Sequence, residues 1–254
     1  MESQASHTSF GQGDEIFHLT EKDLKFPEKL SLVILGPSNS GKSDKIRQII
    51  KHKDKLCAGN ITKIIYTSPN LHSLSKKDIE YHQELRSYGV ICKDELPTED
   101  ELNGSFLPEN DNERSLLVID DMANNAFGSD KVRDIYERLC NHHNIDVILS
   151  SQSFFKNREK YFQDILRSSS LICITNVISD KAMVQNFARK FGLAKTIPPA
   201  LKTAVRLAGS RGHILIFCSY DSALTDQFPV RTGYFENYLN PSLSYKPIFF
   251  KTLD

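Results

Sequence analysis

The sequence carries no net charge, because 32 basic residues balance 32 acidic ones. This balance argues against a protein that coats nucleic acid by bulk charge, although a local basic stripe stays compatible with it. No apolar run reaches membrane-spanning length, and the amino terminus lacks the charged and then apolar pattern of a secretory signal. We therefore expect an intracellular protein that is not secreted and has no membrane partner.

Cysteine is sparse, with five residues and no C-x-x-C pair among them. Scattered cysteines within apolar runs indicate buried, reduced thiols rather than disulfides or a zinc site. Cys140, His142 and His143 lie close together, but a fourth ligand at suitable spacing is missing, so we expect no metal site there. The five positions are Cys57, Cys92, Cys140, Cys173 and Cys218.

A glycine-rich octet follows the apolar run 30–35 and fits the pattern G-x-x-x-x-G-K-[ST]. In that pattern a strand delivers a turn whose backbone N–H groups face a triphosphate, and the next helix points its positive end at the same charge. Lys42 then reaches the β- and γ-phosphates, and the Ser43 hydroxyl is a ligand for Mg²⁺. The octet predicts binding of ATP and Mg²⁺ by Gly36, Pro37, Ser38, Asn39, Ser40, Gly41, Lys42 and Ser43.

A second apolar run, 115–119, ends in two carboxylates, Asp120 and Asp121. Ligand sites in open parallel sheets lie at the carboxyl ends of the strands, so this run resembles a Walker B strand. Asp120 would hold Mg²⁺, and Asp121 would orient or deprotonate the attacking water. One strand further on, Gln152 follows Ser150 and Ser151, where an amide could contact the water or the γ-phosphate as a sensor.

Apolar runs and helical patterns alternate along the chain, which predicts a mainly parallel α/β sheet covered by helices on both faces. The predicted strands are 30–35, 63–68, 90–92, 115–119, 147–150, 171–175 and 213–218. The predicted helices are 42–56, 76–87, 131–142, 157–168 and 180–191, and 93–112 is predicted to be a loop. Residues 1–25 suggest a flexible arm, 26–235 a P-loop ATPase domain, and 236–254 an extended tail that packs on the domain or contacts another subunit.

Four segments together resemble the FtsK/HerA-like genome-packaging ATPases of double-stranded DNA viruses and of Polinton and adintovirus-type elements. They are ILGPSNSGKSDKIRQIIKH, KIIYTSP, SLLVIDDM and, most distinctively, NHHNIDVILSSQSFF. The poxvirus and adenovirus packaging ATPases resemble the chain more distantly. The likeness spans about 30–220 and implies a P-loop NTPase of the additional-strand class.

The resemblance also implies a motor that hydrolyses ATP in a homo-oligomeric ring and pulls double-stranded DNA into a capsid. Such a ring would dock on a capsid or portal protein, inside the host cytoplasm or nucleus or on the virion. A ring ATPase needs an arginine from the neighbouring subunit to stabilise charge in the transition state. Gln163 stands near the place where the family carries that arginine, which leaves Arg167, and after it Arg158, as the candidates.

Two other functions remain open on the residues alone. A P-loop phosphotransferase that acts on a small molecule such as a nucleotide would need an arginine-rich lid, for which 206–211 is the only candidate. A non-catalytic nucleotide-binding scaffold is the other, and the intact Lys42, Ser43, Asp120 and Asp121 argue against it.

Overall fold

The computed structural model describes residues 25–72, 75–122, 129–139, 143–152, 161–175, 213–218, 230–232 and 248–250. The arm predicted for 1–25 lies almost entirely outside these ranges. The helix predicted for 180–191, the candidate lid 206–211 and Arg158 lie outside them as well. Within the described part of the chain, no helix is both long enough and apolar enough to span a membrane.

The described strands form one sheet in the order β3-β2-β4-β5-β1-β6-β7-β8-β9. The six strands from β3 to β6 in this order are parallel, which confirms the mainly parallel sheet. The last three strands are antiparallel to their neighbours, a feature that the sequence pattern did not predict. The strands are β1 (Ser31–Leu35), β2 (Asn60–Thr67), β3 (Ile91–Lys93), β4 (Glu113–Ile119), β5 (Ile145–Ser151), β6 (Leu171–Thr175), β7 (His213–Phe217), β8 (Val230–Thr232) and β9 (Ile248–Phe250).

The α-helices are α1 (Lys42–Lys51), α2 (Lys53–Leu56), α3 (Lys76–Ser87), α4 (Glu99–Leu102), α5 (Asp130–Asp134) and α6 (Phe162–Arg167). A 3₁₀ turn covers Pro69–His72, and a π-helical turn, Ile135–Leu139, continues α5. The expected helix 131–142 therefore changes its hydrogen-bonding pattern partway, and 140–142 are not described. The expected helix 157–168 is seen as α6 only, because 153–160 are not described.

Two hydrophobic clusters lie on opposite faces of the sheet, because successive strand residues point to opposite sides. In β1, Leu32 and Ile34 pack on one side, against buried side chains of α1, α2 and α3. Val33 and Leu35 pack on the other side, against buried side chains of α4, α5 and α6. Helices therefore cover both faces, as the alternating pattern predicts.

The helix predicted for 42–56 is interrupted at His52, where α1 ends and α2 begins. No proline or glycine lies in this stretch, so local propensity gives no reason for a break. After the interruption, Leu56 at the end of α2 is fully buried, and its carbonyl accepts a 2.7 Å hydrogen bond from the Phe26 N–H. The bend brings the chain into the core beside residue 26.

The prediction of a loop over 93–112 is wrong in one place, where the short helix α4 forms. Thr98 accepts a hydrogen bond from the backbone N–H of Glu101, and the Glu101 carboxylate accepts one from the backbone of Thr98. This capping box stabilises the first helical turn, and the burial of Leu102 and Phe106 anchors it to the sheet. The T-x-x-E signature was present in the sequence.

A buried ion pair joins the amino-terminal ends of β4 and β5. Arg114 donates from Nε to Asp146 Oδ1 at 2.7 Å, and the same oxygen accepts from the Leu30 N–H at 2.9 Å. Burial raises the pKa of Asp146 from 3.8 to about 6, and the Arg114 guanidinium opposes that rise. Arg114 also donates to Asn144, whose backbone has a left-handed φ of 52°.

Candidate functional site

The glycine-rich octet forms a turn between the carboxyl end of β1 and the first residue of α1, as the motif predicts. The turn is held on both sides by neighbouring strands. The Gly36 N–H donates to the Ser151 carbonyl at 3.2 Å, and the Ser40 hydroxyl lies 2.6 Å from that of Thr175. Thr175 also donates to the Leu35 carbonyl at 3.1 Å. The loop is thus fixed to β5 and β6.

Both glycines of the motif have steric reasons to be glycine. A Cβ on Gly36 would lie 2.0 Å from the Thr175 hydroxyl oxygen, which a side chain could not tolerate. Gly41 has a φ of 86° and immediately precedes α1, a conformation that L-residues with a Cβ rarely adopt. Asn39 also lies in the left-handed region, with a φ of 60°. The turn can therefore direct its N–H groups inward without interference from side chains.

The Lys42 side chain folds back over the loop. Its ammonium group donates to the carbonyls of Gly36 and Pro37, each at 2.9 Å. Burial lowers the pKa of Lys42, and the charges of Asp120 and Asp121 counteract part of that effect. The lysine is therefore held by two backbone acceptors, at the place where the motif locates the phosphates.

Asp120 follows β4 and is almost fully buried, with each of its carboxylate oxygens hydrogen-bonded. Oδ2 accepts from the Tyr66 hydroxyl at 2.6 Å and from the Ser43 hydroxyl at 3.2 Å, while Oδ1 accepts from the Ser150 hydroxyl. Burial and the Asp120 charge raise the pKa of Tyr66, so its hydroxyl is a donor. The structure thus brings the Ser43 hydroxyl and the Asp120 carboxylate together.

These oxygen donors fit a magnesium ion. Mg²⁺ prefers one or two carboxylates together with hydroxyls, water and substrate phosphates, rather than a cage of protein ligands. Ser43 and Asp120 provide one hydroxyl and one carboxylate beside the phosphate loop. No group of three or more His, Cys, Asp or Glu residues suited to a metal is found in the described ranges.

Asp121 has a φ of 52°, a conformation that is uncommon for residues other than glycine and asparagine. Its backbone N–H donates to the Ser150 hydroxyl at 3.3 Å, and its carboxylate accepts two hydrogen bonds from Gln152 Nε2, at 2.7 and 2.8 Å. Gln152 Oε1 in turn accepts from the Ser38 hydroxyl at 2.8 Å. The Gln152 amide therefore connects Asp121, the second residue of the acidic pair Asp120 and Asp121, with the phosphate loop, residues 36–43.

A cavity of about 970 Å³ opens over these groups and extends from the loop to α3. Tyr81 and His82 line its α3 side, and the Tyr81 hydroxyl donates to the Ser43 carbonyl at 3.1 Å. The cavity is also lined by loop residues 38–43 and by Asp120, Asp121 and Gln152, whereas Gly36 and Pro37 do not line it.

Arg167 is exposed and is the last residue of α6. It ends α6, and the next residue, Ser168, accepts from the Ser31 hydroxyl through its carbonyl at 3.0 Å. Ser31 begins β1, whereas the loop follows the opposite end of that strand. Arg167 therefore lies near the amino-terminal end of β1, opposite to the end that leads into the loop, and it does not line the cavity.

Tyr81 and His82, which line the cavity from α3, were not identified from the sequence. Three strand residues that hydrogen-bond within the site were not identified either: Tyr66, Ser150 as a partner of Asp120, and Thr175. All three lie at or next to the carboxyl ends of strands that neighbour β1 or β4. Their position at the carboxyl end of a strand was therefore the feature of the sequence that could have identified them. The order of the strands in the sheet is needed to show which of these strand ends lie beside the loop.

The fold and the site define a class: this is the fold of a P-loop NTPase of the additional-strand type. The additional strand is β5, which lies between β1, the strand that leads into the loop, and β4, the strand that ends in the acidic pair. Helices on both faces and the Lys42 loop at the carboxyl edge complete the arrangement.

No protein family model matches this chain, and no curated protein matches it. Among solved structures, it is similar to the genome packaging NTPase B204 of Sulfolobus turreted icosahedral virus 2 in complex with AMPPCP. That match has 16% sequence identity and a TM-score of 0.47, and covers 90% of this chain and 100% of that one.

Two further matches are weaker. ATPases 2 and 3 of EccC from Thermomonospora curvata match with 13% identity and a TM-score of 0.38, over 63% of this chain and 31% of that one. The flagellar accessory protein FlaH from Methanocaldococcus jannaschii matches with 12% identity and a TM-score of 0.36, over 59% of this chain and 72% of that one. Similarity at this level does not indicate a shared function.

Proposed function

We propose that the chain is an ATP-hydrolysing motor that translocates double-stranded viral DNA into a capsid. The observation that carries the ATP-hydrolysing part of this proposal is the series of hydrogen bonds from Ser38 through Gln152 to Asp121. It connects the group suited to activate water with the loop suited to hold phosphate. A site that only bound nucleotide would have no need of that connection.

ATP would bind with its phosphates in the loop 36–43. The Lys42 ammonium would exchange its bonds to the Gly36 and Pro37 carbonyls for bonds to phosphate oxygens. Its charge and the backbone N–H groups of the loop would stabilise the negative charge of the triphosphate. Ser43 and Asp120 would hold Mg²⁺, which supplies further charge stabilisation for phosphoryl transfer.

Asp121 would orient the attacking water and accept its proton. Gln152 already fixes the Asp121 carboxylate through two hydrogen bonds from one amide nitrogen. A shift of Ser38 when phosphate enters or leaves the loop would change the position of Gln152 and therefore that of Asp121. In this way Gln152 would report the state of the nucleotide to the acidic pair.

The DNA-translocating part of the proposal is supported by the ordered resemblance of the four sequence segments. Its partners would be double-stranded DNA, further copies of the same chain in a ring, and a capsid or portal protein. An arginine of the neighbouring subunit would complete each site, and the exposed Arg167 is our candidate. Its distance from its own loop is compatible with action in trans.

The test is steady-state ATP hydrolysis with and without double-stranded DNA over a range of protein concentrations. A motor predicts stimulation by DNA and a turnover per subunit that rises steeply with concentration, because complete sites form only between subunits. The same assay with equimolar single-stranded DNA serves as a control for nonspecific polyanion effects.

Other results would favour the alternative functions. Turnover that does not respond to DNA, or phosphoryl transfer to an added nucleotide, would favour the phosphotransferase. Nucleotide binding without any turnover at any concentration would favour a non-catalytic scaffold. Either result would contradict the motor.

A further inference from the structure

Asp120 is held from three different elements of the protein. Ser43 contacts it from α1, Tyr66 from β2, and Ser150 from β5. Tyr66 makes the shorter of the two bonds to Oδ2, 2.6 Å against 3.2 Å for Ser43. The loop motif assigns no role to a tyrosine on a neighbouring strand.

The Tyr66 side chain has little freedom to move. It is 2% exposed, and its ring lies edge-on to the Tyr81 ring at 5.9 Å between centroids. The His82 ring lies at the same distance on α3. The packed ring therefore presents its hydroxyl to Asp120 in one fixed position.

The three donors to Asp120 have different roles under the proposed function. The Ser43 hydroxyl would hold Mg²⁺ through its oxygen while its proton can still be donated to Asp120 Oδ2. Tyr66 and Ser150 would hold only the carboxylate, one on each oxygen. Two donors on different oxygens fix the plane of a carboxylate, whereas one donor leaves it free to rotate.

We propose that Tyr66 is a positioning residue that orients Asp120 toward the magnesium ion. This inference rests on the proposed nucleotide site. The Tyr66 ring borders the cavity, and its hydroxyl would act through Asp120, to which it donates. Loss of a group that orients a metal ligand commonly lowers metal affinity by about 10- to 100-fold.

Tyr66→Phe tests the inference because it keeps the packed ring and removes only the hydroxyl. The probe is Mn²⁺, whose binding to protein loaded with a non-hydrolysable ATP analogue is followed by electron paramagnetic resonance. We expect the Mn²⁺ dissociation constant to rise about tenfold. In EDTA, the affinity for the analogue alone should stay within about twofold of that of the unchanged protein, because phenylalanine keeps the ring that borders the cavity and the lost hydroxyl donates to Asp120.

Tyr88→Phe is the matched control, since the Tyr88 hydroxyl also donates to a carboxylate, that of Glu84 at 2.9 Å, but on the surface of α3. It should leave Mn²⁺ binding unchanged. Ser150→Ala removes the donor on the other carboxylate oxygen and should weaken Mn²⁺ binding in the same sense. If Tyr66→Phe folds poorly, Ser150→Ala still tests the inference, because it also removes a hydrogen bond that orients the Asp120 carboxylate.

The outcomes separate the inference from the proposed function. If the unchanged protein binds nucleotide and Mn²⁺ and Tyr66→Phe binds both equally well, the inference is overturned while the nucleotide site stands. Equal weakening of analogue binding in EDTA would also overturn it, since it would show a general structural defect. If the unchanged protein binds no nucleotide, the proposed function itself fails.

Discussion

The amide nitrogen of Gln152 donates to both carboxylate oxygens of Asp121, at 2.7 and 2.8 Å. The amide oxygen of the same side chain accepts from Ser38 at 2.8 Å. The Gln152 side chain therefore donates to Asp121 through its amide nitrogen and accepts from the phosphate loop through its amide oxygen. Neither Asn nor Glu could reproduce both contacts, because Asn is one methylene shorter and Glu lacks the donor.

Gln152→Ala should lower the rate of ATP turnover by about 10- to 100-fold, since hydrogen bonds to a charged group contribute about 1.5–3 kcal/mol. Ser38→Ala should cost about 2- to 10-fold, because it removes one neutral bond. The double variant should be no slower than Gln152→Ala, since Ser38 acts through the amide. Ser87→Ala, which removes an exposed hydroxyl on α3, is the control. If the losses in kcat of the two single variants multiply in the double variant, Ser38 does not act through Gln152.

Lys42→Ala should reduce ATP turnover by at least about 100-fold, because it removes the positive charge that faces the phosphates. Lys51→Ala, an exposed lysine in the last turn of the same helix, is the matched control and should turn over ATP normally. The rates are measured as phosphate release at saturating Mg²⁺. Turnover retained in Lys42→Ala would contradict the assignment of the loop.

Asp121→Asn should bind ATP with an affinity within about threefold of the unchanged protein and lose turnover by about 100-fold or more. The substitution is mild for the backbone because asparagine tolerates the left-handed φ of 52° at this position. Fluorescent-nucleotide titration and single-turnover hydrolysis together measure both effects. A variant unable to bind ATP would refute the role of Asp121 as the base.

Arg167→Ala should lose hydrolysis although its own loop and acidic pair are intact. Asp121→Asn subunits lack the base but retain Arg167, so mixing the two inactive variants should restore part of the activity. Recovery should follow the mixing ratio and be highest near equal amounts. An absence of recovery at every ratio would count against an arginine that acts in trans.

Arg114→Met should destabilise the protein by about 3–5 kcal/mol at pH 8, because it leaves the buried Asp146 without its counter-charge. The folded-state pKa of Asp146, about 6, already exceeds its ordinary value of 3.8, so this group's contribution to stability falls as pH rises through that window. Removal of Arg114 raises that pKa further, and protonation at pH 5 should therefore recover part of the loss.

Urea unfolding at pH 5 and at pH 8 measures this effect. Arg86→Met, an exposed arginine on α3, is the control and should change stability by less than about 0.5 kcal/mol at either pH. An equal destabilisation by Arg114→Met at both pH values would show that lost packing, rather than the uncompensated charge, is the cause.

The parts of the fold that the sequence predicted are those whose local signals agree with their tertiary surroundings. The β6 range 171–175 and the α3 range 76–87 were predicted to the residue, because apolar runs and helical spacing there match the final burial. The break at His52 was not predicted, since no proline or glycine lies in 42–56 to mark it. Nothing local marked the antiparallel pairing of β7 with β6 either.

The candidate site shows the same division. The loop residues 38–43, together with Asp120, Asp121 and Gln152, follow strands in a recognisable order, and the structure places them around one cavity. Tyr66 was not identified, because an aromatic residue in a strand usually belongs to the core. Its hydroxyl reaches Asp120 only because β2 and β4 are neighbours, with Tyr66 beside Val118 in the register.

The strands β4 and β5 are tied to each other at both ends, by Arg114 with Asp146 at one end and by Asp120 with Ser150 at the other. Five consecutive register pairs join them in between. Sliding one strand along the other would break all of these bonds at once, so we expect the two strands to move together. Under the proposed function, a displacement of Asp121 during hydrolysis would therefore be carried along both strands to their amino-terminal ends, at Arg114 and Asp146.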